Sequence, residues 1–470
     1  MSKYLKALSA SFVFVVLLTL GAKNTSAITD PLSVPNNPFG IHILDEIDLE
    51  DASRLVNSSG GDWGYVTLVI RKDERNIKRW QAVFDKMRKL HLIPIVRLAT
   101  TTQNEHWEKF EKGDIENWVY FLNSLNWVVK NRYVIIGNEP NHANEWGKEI
   151  KPAEYSEILK SFSNHLKEAS DDFFILPAGF DASAPNSKNS KKEEDYIKEM
   201  LIFDANIFNY IDGWTSHSYP NPDFSGSEFD QGKGTIRTFE WEIQLLKSLG
   251  VGKELPVFIT ETGWLNSSNE TGSENLIADK MSYAYTNVWN NGNVVAVTPF
   301  VLNYQEPPFD KFSWKNKDGG FYHIFERIQK IPKIKGEPVQ IDDGEIILTF
   351  TPNFYRQGDT LYGIAIAKNK GQSIWENNQV YLTTKKNGPI SVNTLITSYV
   401  EPESKVIINF SGNLPQEPGS YTSSLVFEKN GRKFGSAHQI RITTYKSGNS
   451  EDNSLVSRLS SLLQKVREFF

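Results

Sequence analysis

From Pro38 to about Ile331, short apolar runs rich in β-branched residues alternate with longer segments whose apolar positions recur every three or four residues. Alternation of these two textures predicts parallel strands joined by crossover helices. The runs are Phe39–Ile43, Tyr65–Ile70, Ile93–Leu98, Tyr133–Gly137, Phe173–Ala178, Gly213–Ser218, Val257–Thr260 and Val294–Phe300. They supply the eight strands that a closed (β/α)8 barrel needs, so an α/β barrel is the predicted architecture. The intervening stripes are legible. Ile77, Trp80, Phe84, Met87 and Leu90 share one helical face, as do Ile115, Trp118, Leu122, Leu125 and Val129. Pro152 stands where a first-turn proline is tolerated, ahead of Tyr155, Leu159, Phe162 and Leu166, so a helix follows the fourth strand.

After Gly336 the texture changes to short alternating runs broken by Gly, Asn and Pro: Glu345–Phe350, Leu361–Ala367, Val406–Phe410, Tyr421–Phe427 and His438–Thr444. This spacing predicts an immunoglobulin-like β-sandwich over residues 337–446. A polar stretch then leads to Leu455, Leu459, Leu462, Leu463, Val466 and Phe469 on one face of an amphipathic helix within 447–470. Such a tail can dock on the protein, pair with a copy of itself or, less readily given its few positive charges, lie on a membrane. At the other end, Lys3 and Lys6 precede the apolar run Ala7–Gly21 and the small residues Thr25, Ser26 and Ala27. That is the order of a secretory signal peptide over 1–27, with the barrel filling 28–336. An uncleaved anchor is the alternative, the run being a little short for a membrane span.

Composition narrows the function. The 470 residues contain no Cys, which removes disulfides, thiol catalysis and thiolate metal sites and, with the export signal, points to an extracellular or cell-surface protein. A net charge of -6 provides no basic stripe for nucleic acid. The 8 His are scattered without ligand spacing, so neither metal nor cofactor is expected. No Gly-rich phosphate loop and no Gly-x-Ser-x-Gly elbow is present.

The chemistry lies at two strand ends. The fourth run ends in Gly137, Asn138, Glu139 and Pro140, the seventh in Thr260, Glu261, Thr262, Gly263 and Trp264. The carboxyl ends of barrel strands form the catalytic face, so Glu139 and Glu261 can converge there from strands four and seven. Two facing carboxyl groups suit glycoside cleavage: one, protonated, helps the leaving oxygen depart while the other, ionised, attacks the anomeric carbon. An Asn-Glu-Pro tripeptide alone is weak evidence, since Pro after a strand commonly marks a turn; the coincidence of both motifs carries the reading. On the sixth run, His217 and Tyr219 are two apart and share a face.

The Asn138-Glu139-Pro140 and Glu261-Thr262-Gly263-Trp264 strings resemble clan A glycoside hydrolases across the barrel, with features of the β-glucanase, cellulase and xylosidase families. The resemblance implies a retaining mechanism, with Glu139 as acid/base and Glu261 as nucleophile. It also implies that Asn138 bonds the sugar 2-hydroxyl, that Tyr219 bonds the Glu261 carboxylate and that His217 lines the sugar subsite. An Arg near the nucleophile is common in the clan, and Arg97 is the candidate, ahead of Arg71 in its solvent-facing charge run. His42 is placed on the cleft floor. Trp264 and Trp314, then Trp146, are candidate stacking platforms for a sugar ring. The predicted partner is a β-linked carbohydrate. A non-catalytic carbohydrate-binding surface protein and a transglycosylase with the same pair are the alternatives.

Overall fold

The computed structural model describes residues 28–103, 106–266, 273–385 and 388–446, so the expected signal segment 1–27 and tail 447–470 lie outside the described residues. All eight expected runs are parallel strands: β1 (Gly40–His42), β2 (Gly64–Arg71), β3 (Leu92–Ala99), β4 (Arg132–Ile136), β5 (Phe173–Pro177), β6 (Trp214–His217), β7 (Val257–Glu261) and β8 (Val294–Val297). They hydrogen-bond as two arcs, β1-β2-β3-β4-β5 and β6-β7-β8. Single parallel bridges, Phe39 to Val297 and Asp181 to His217, join the arcs at both seams and close the ring.

Inside the ring, Tyr65, Tyr133, Phe174 and Phe258 interlock with centroids no more than 6.2 Å apart, so the lower barrel is a packed core. The helices α1 (Leu49–Val56), α2 (Ile77–Lys89), α3 (Ile115–Asn123), α4 (Pro152–Ala169), α5 (Glu193–Phe203), α6 (Thr238–Ser248), α7 (Ser273–Asn287) and α8 (His323–Gln329) return the chain between strands. Helix α2 shows why its sequence is helical. The Asn76 side chain caps the Arg79 amide, and Trp80, Val83, Phe84 and Met87 are buried. Each such residue contributes about 1.5–3 kcal/mol on leaving water. Helix α3 is shorter than its stripe predicts. It stops at Asn123 because the Ser124 hydroxyl donates to the Tyr120 carbonyl and the Trp127 indole to that of Leu122. The indole takes the Leu122 carbonyl that a further turn would have used, while the Ser124 hydroxyl joins its own amide on the Tyr120 carbonyl. Leu125 and Val129 are still buried, from irregular backbone.

The C-terminal module has a core of its own, separate from that of the barrel. Its strands are β9 (Gly344–Phe350), β10 (Phe354–Arg356), β11 (Thr360–Asn369), β12 (Val380–Thr384), β13 (Ser391–Leu395), β14 (Lys405–Asn413), β15 (Gly419–Lys429) and β16 (Arg432–Tyr445). The module is all-β as predicted, but its strands run in one continuous order, β9-β11-β14-β13-β12-β15-β16-β10, instead of two separate sheets. Strand β13 pairs on both edges, with β12 and with β14, and so joins what a sandwich would keep apart. Gln340 and Gln372 donate to the carbonyls of Val128 and Val129, just before β4. The module therefore holds the end of the barrel opposite the carboxyl ends of the strands.

Candidate active site

Glu139 follows β4 and Glu261 is the last residue of β7, so the ring brings both to one mouth. Glu139, His217 and Glu261 each offer one side-chain atom, all within 4.8 Å of one another. The backbone that delivers Glu139 is special. Gly137 has φ +85° and Glu139 itself φ +31°, a left-handed conformation that costs a non-glycine residue of order 1 kcal/mol or more. It is held by the Glu139 amide donating to the Gly179 carbonyl and the His142 amide to that of Glu139. Gly179 cannot carry a side chain, because a Cβ there would meet the His217 ring at 2.3 Å.

Glu261 is surrounded by donors. Arg97 Nη1 donates to its Oε1 at 2.6 Å and the Tyr219 hydroxyl to its Oε2 at 3.1 Å, while His217 Nδ1 lies 3.8 Å from Oε2. Burial alone would push this carboxyl up. The charges of His217 and Arg97 and the Tyr219 hydrogen bond outweigh it and hold the group below its usual range, so Glu261 is an anion. Glu139 has a different partner: its Oε1 shares a proton with His217 Nδ1 at 2.7 Å. Burial would lower His217, but the Glu261 charge and the Glu139 hydrogen bond raise it above its ordinary value. His42 sits beneath with a fully buried ring and neither nitrogen hydrogen-bonded; burial and then the Arg97 charge push it down to about 3, so it is neutral.

Of the sequence candidates, Asn138, Glu139, Arg97, His217, Tyr219 and Glu261 are thus in one network. Arg97 Nη1 also donates to Asn138 Oδ1 at 2.6 Å. Arg71 is instead 42% exposed, paired with Asp73 and Glu74. The stacking candidates do not fit their expected part. Trp264 is 4% exposed with its indole bonded to the Gly226 carbonyl, Trp314 is 2% exposed, and Trp146 is 1% exposed. None of these rings offers a face to a sugar: Trp264 is covered by the Gly226 loop and Lys280 of α7, Trp146 by Phe110 and Tyr155, and Trp314 is buried.

Three features escaped the sequence reading. Glu145 accepts from Asn138 Nδ2 at 3.2 Å. His142 Nε2 and Asp181 Oδ2 pair at 2.8 Å beside Glu139, the hydrogen bond raising His142 above its usual value. An apolar cluster of Phe300, Val301 and Phe312 packs against Tyr219 and orients its ring. Loop residues such as these carry no periodic signal, and only the Asn-Glu motif a few positions upstream hints at Glu145. The Glu139, His217 and Glu261 atoms also have the spacing of a cation site. The Arg97 guanidinium on Glu261 and the engagement of His217 Nδ1 by Glu139 put positive charge and a hydrogen bond where an ion would bind.

No family model matches the chain, and no curated protein matches it. Among solved structures it is similar to a glucosidase from Croceicoccus marinus, at 9% identity over 84% of this chain and 94% of that one, TM-score 0.48. It is also similar to a GH128 (subgroup II) endo-beta-1,3-glucanase from Sorangium cellulosum, at 12% identity over 64% of this chain and 98% of that one, TM-score 0.42. Xylanase 10B from Thermotoga petrophila RKU-1 matches at 16% identity over 64% of this chain and 94% of that one, TM-score 0.41.

Proposed function

We propose that the protein is an exported retaining glycoside hydrolase acting on a β-linked glycan, with Glu261 as nucleophile and Glu139 as acid/base. The observation that carries this is the pair itself: two carboxyl groups at one barrel mouth with oxygens within 4.8 Å, one of them clamped as an anion by Arg97 and Tyr219. Retaining glycosidases hold their carboxyl groups about 5–5.5 Å apart, whereas inversion needs room for a water between them. In the first step Glu139 gives its proton to the leaving oxygen as a Glu261 oxygen bonds the anomeric carbon. In the second, Glu139 takes a proton from water, whose oxygen displaces Glu261 and restores the free carboxylate. His217, bonded to Glu139 and near Glu261, holds both carboxyl groups in register.

The test is product release, resolved by chromatography, when the protein and its Glu261→Gln variant meet a panel of β-glucans, xylans, mannans and galactans. Cleavage with retained anomeric configuration by the parent alone is expected. Silence of the parent across the panel, with tight binding to one polymer, would overturn hydrolysis in favour of a non-catalytic carbohydrate binder.

A further inference from the structure

Arg97 can only donate, so its bond to Asn138 Oδ1 fixes the orientation of the Asn138 amide. The NH2 then faces away from Arg97, and Nδ2 donates to Glu145 Oε2 at 3.2 Å. Glu145 closes the turn Ala143–Glu145 after β4 and is half-buried in a small hollow shared with Thr100, Trp107, Glu108 and Trp146. The turn is rigidly seated: Trp146 is buried, and the Gly147 amide donates to the Trp107 carbonyl.

The charged groups facing Glu145 are Glu139 at the end of β4, Arg97 on β3 and Glu261 on β7. His142, which feels its charge, comes from the same loop, and Glu108 lines the hollow from the loop after β3. On the reading of the site as a glycosidase, Asn138 Nδ2 is the donor offered to a sugar hydroxyl.

We propose that Glu145 is a positioning residue that competes with substrate for Asn138 Nδ2, holding it as a carboxylate and releasing it when protonated. A carboxylate accepts an N–H bond roughly twice as strongly as a neutral group does. Burial, then the Glu139 charge, pushes the Glu145 carboxyl up to about 7, which brings the exchange into the neutral range. Below that point the NH2 is free to bond a sugar hydroxyl, and above it Glu145 retains it.

The test uses the full chain labelled with [15N]Asn. The Asn138 side-chain NH2 signal is identified by its absence in Asn138→Asp. Expected is a displacement of that signal across about pH 5 to 9 with a midpoint near 7, absent in both Glu145→Gln and Glu145→Ala. A signal that does not move, or one that titrates unchanged in the two Glu145 variants, overturns the proposal. On a glycan that the parent cleaves, kcat/KM should fall severalfold more between about pH 6 and 8 in the parent than in Glu145→Gln, with kcat less affected than KM. Identical profiles overturn the proposal as well. Failure of the hydrolase reading is separate, since it shows as silence on every glycan while the NMR midpoint still decides the role of Glu145.

Discussion

Strand β6 has a pair of glutamates on each face, and Glu261 of the one pair and both members of the other have opposite fates. On the mouth side, Glu261 is buried among Arg97, Tyr219 and His217 and is held as an anion. On the helix side, Glu193 of α5 and Glu242 of α6 are both 0% exposed, and none of their carboxyl oxygens makes a hydrogen bond of normal geometry. Ser216 and Trp214 lie against Glu242, yet burial pushes it up to about 7, and burial together with the Glu242 charge raises Glu193 further. Burial is common to Glu261, Glu193 and Glu242. Arg97 and His217 close against Glu261 outweigh its burial, whereas the weaker pull of Lys233 on Glu193 and of His217 on Glu242 does not outweigh theirs.

The sharpest way to break this comparison is to remove the charge at the mouth. Glu261→Gln should lower kcat by on the order of 10⁴-fold or more with folding unchanged, because Gln is near-isosteric but a poor nucleophile. Undiminished turnover would remove the nucleophile from the site. Glu139→Ala should cost about 10²–10⁴-fold on natural glycans but far less on aryl glycosides with a good leaving group, which need little protonation. Equal losses on both substrates would exclude the acid role. Arg97→Met should lower kcat/KM by about 10²-fold, since it leaves Glu261 buried with fewer donors and releases Asn138 as well. Unchanged kcat/KM would show that His217 and Tyr219 suffice.

The helix-side pair predicts a stability effect with a definite sign. The folded value for Glu242 lies above its ordinary 4.5, so between 4.5 and about 7 the folded state binds more protons than the unfolded one. Stability is therefore full below pH 4.5 and falls as pH rises through the folded value. Glu242→Gln should flatten that fall and be more stable than the parent at pH 8 by on the order of 2–3 kcal/mol, measured by urea unfolding at pH 5 and 8. Parallel pH dependences in parent and variant would mean that the pair ionises freely.

The strands were readable because each is a continuous apolar run between turn residues, and the proposed catalytic pair because both glutamates stand at the ends of such runs. The common face of His217 and Tyr219 followed from their two-residue spacing, whereas Arg97 was a candidate through the resemblance. Loop geometry was not readable. Trp264 and Trp314 sit in segments that would suit a platform, but the fold buries both; Glu145 and the His142 to Asp181 pair depend on turns that no period encodes. The Glu193 and Glu242 pair was hidden for a related reason, since each residue reads as an ordinary polar position on its own helix. Likewise, the pairing of β13 on both edges is a matter of register, which alternating polarity alone leaves open.

The seams of the ring give the site a mechanical character. Glu139 is carried by the five-strand arc and Glu261 by the three-strand arc, while His217, which touches both, is itself the residue bridged to Asp181 across one seam. A slip of one arc along the other would translate directly into the gap between the two carboxyl groups. The spacing between the two carboxyl groups is thus a gauge of how firmly the seams are locked, by the two bridges, by backbone bonds such as Asp212 to Ile175 and His42 to Pro299, and by the Arg97 to Glu261 pair.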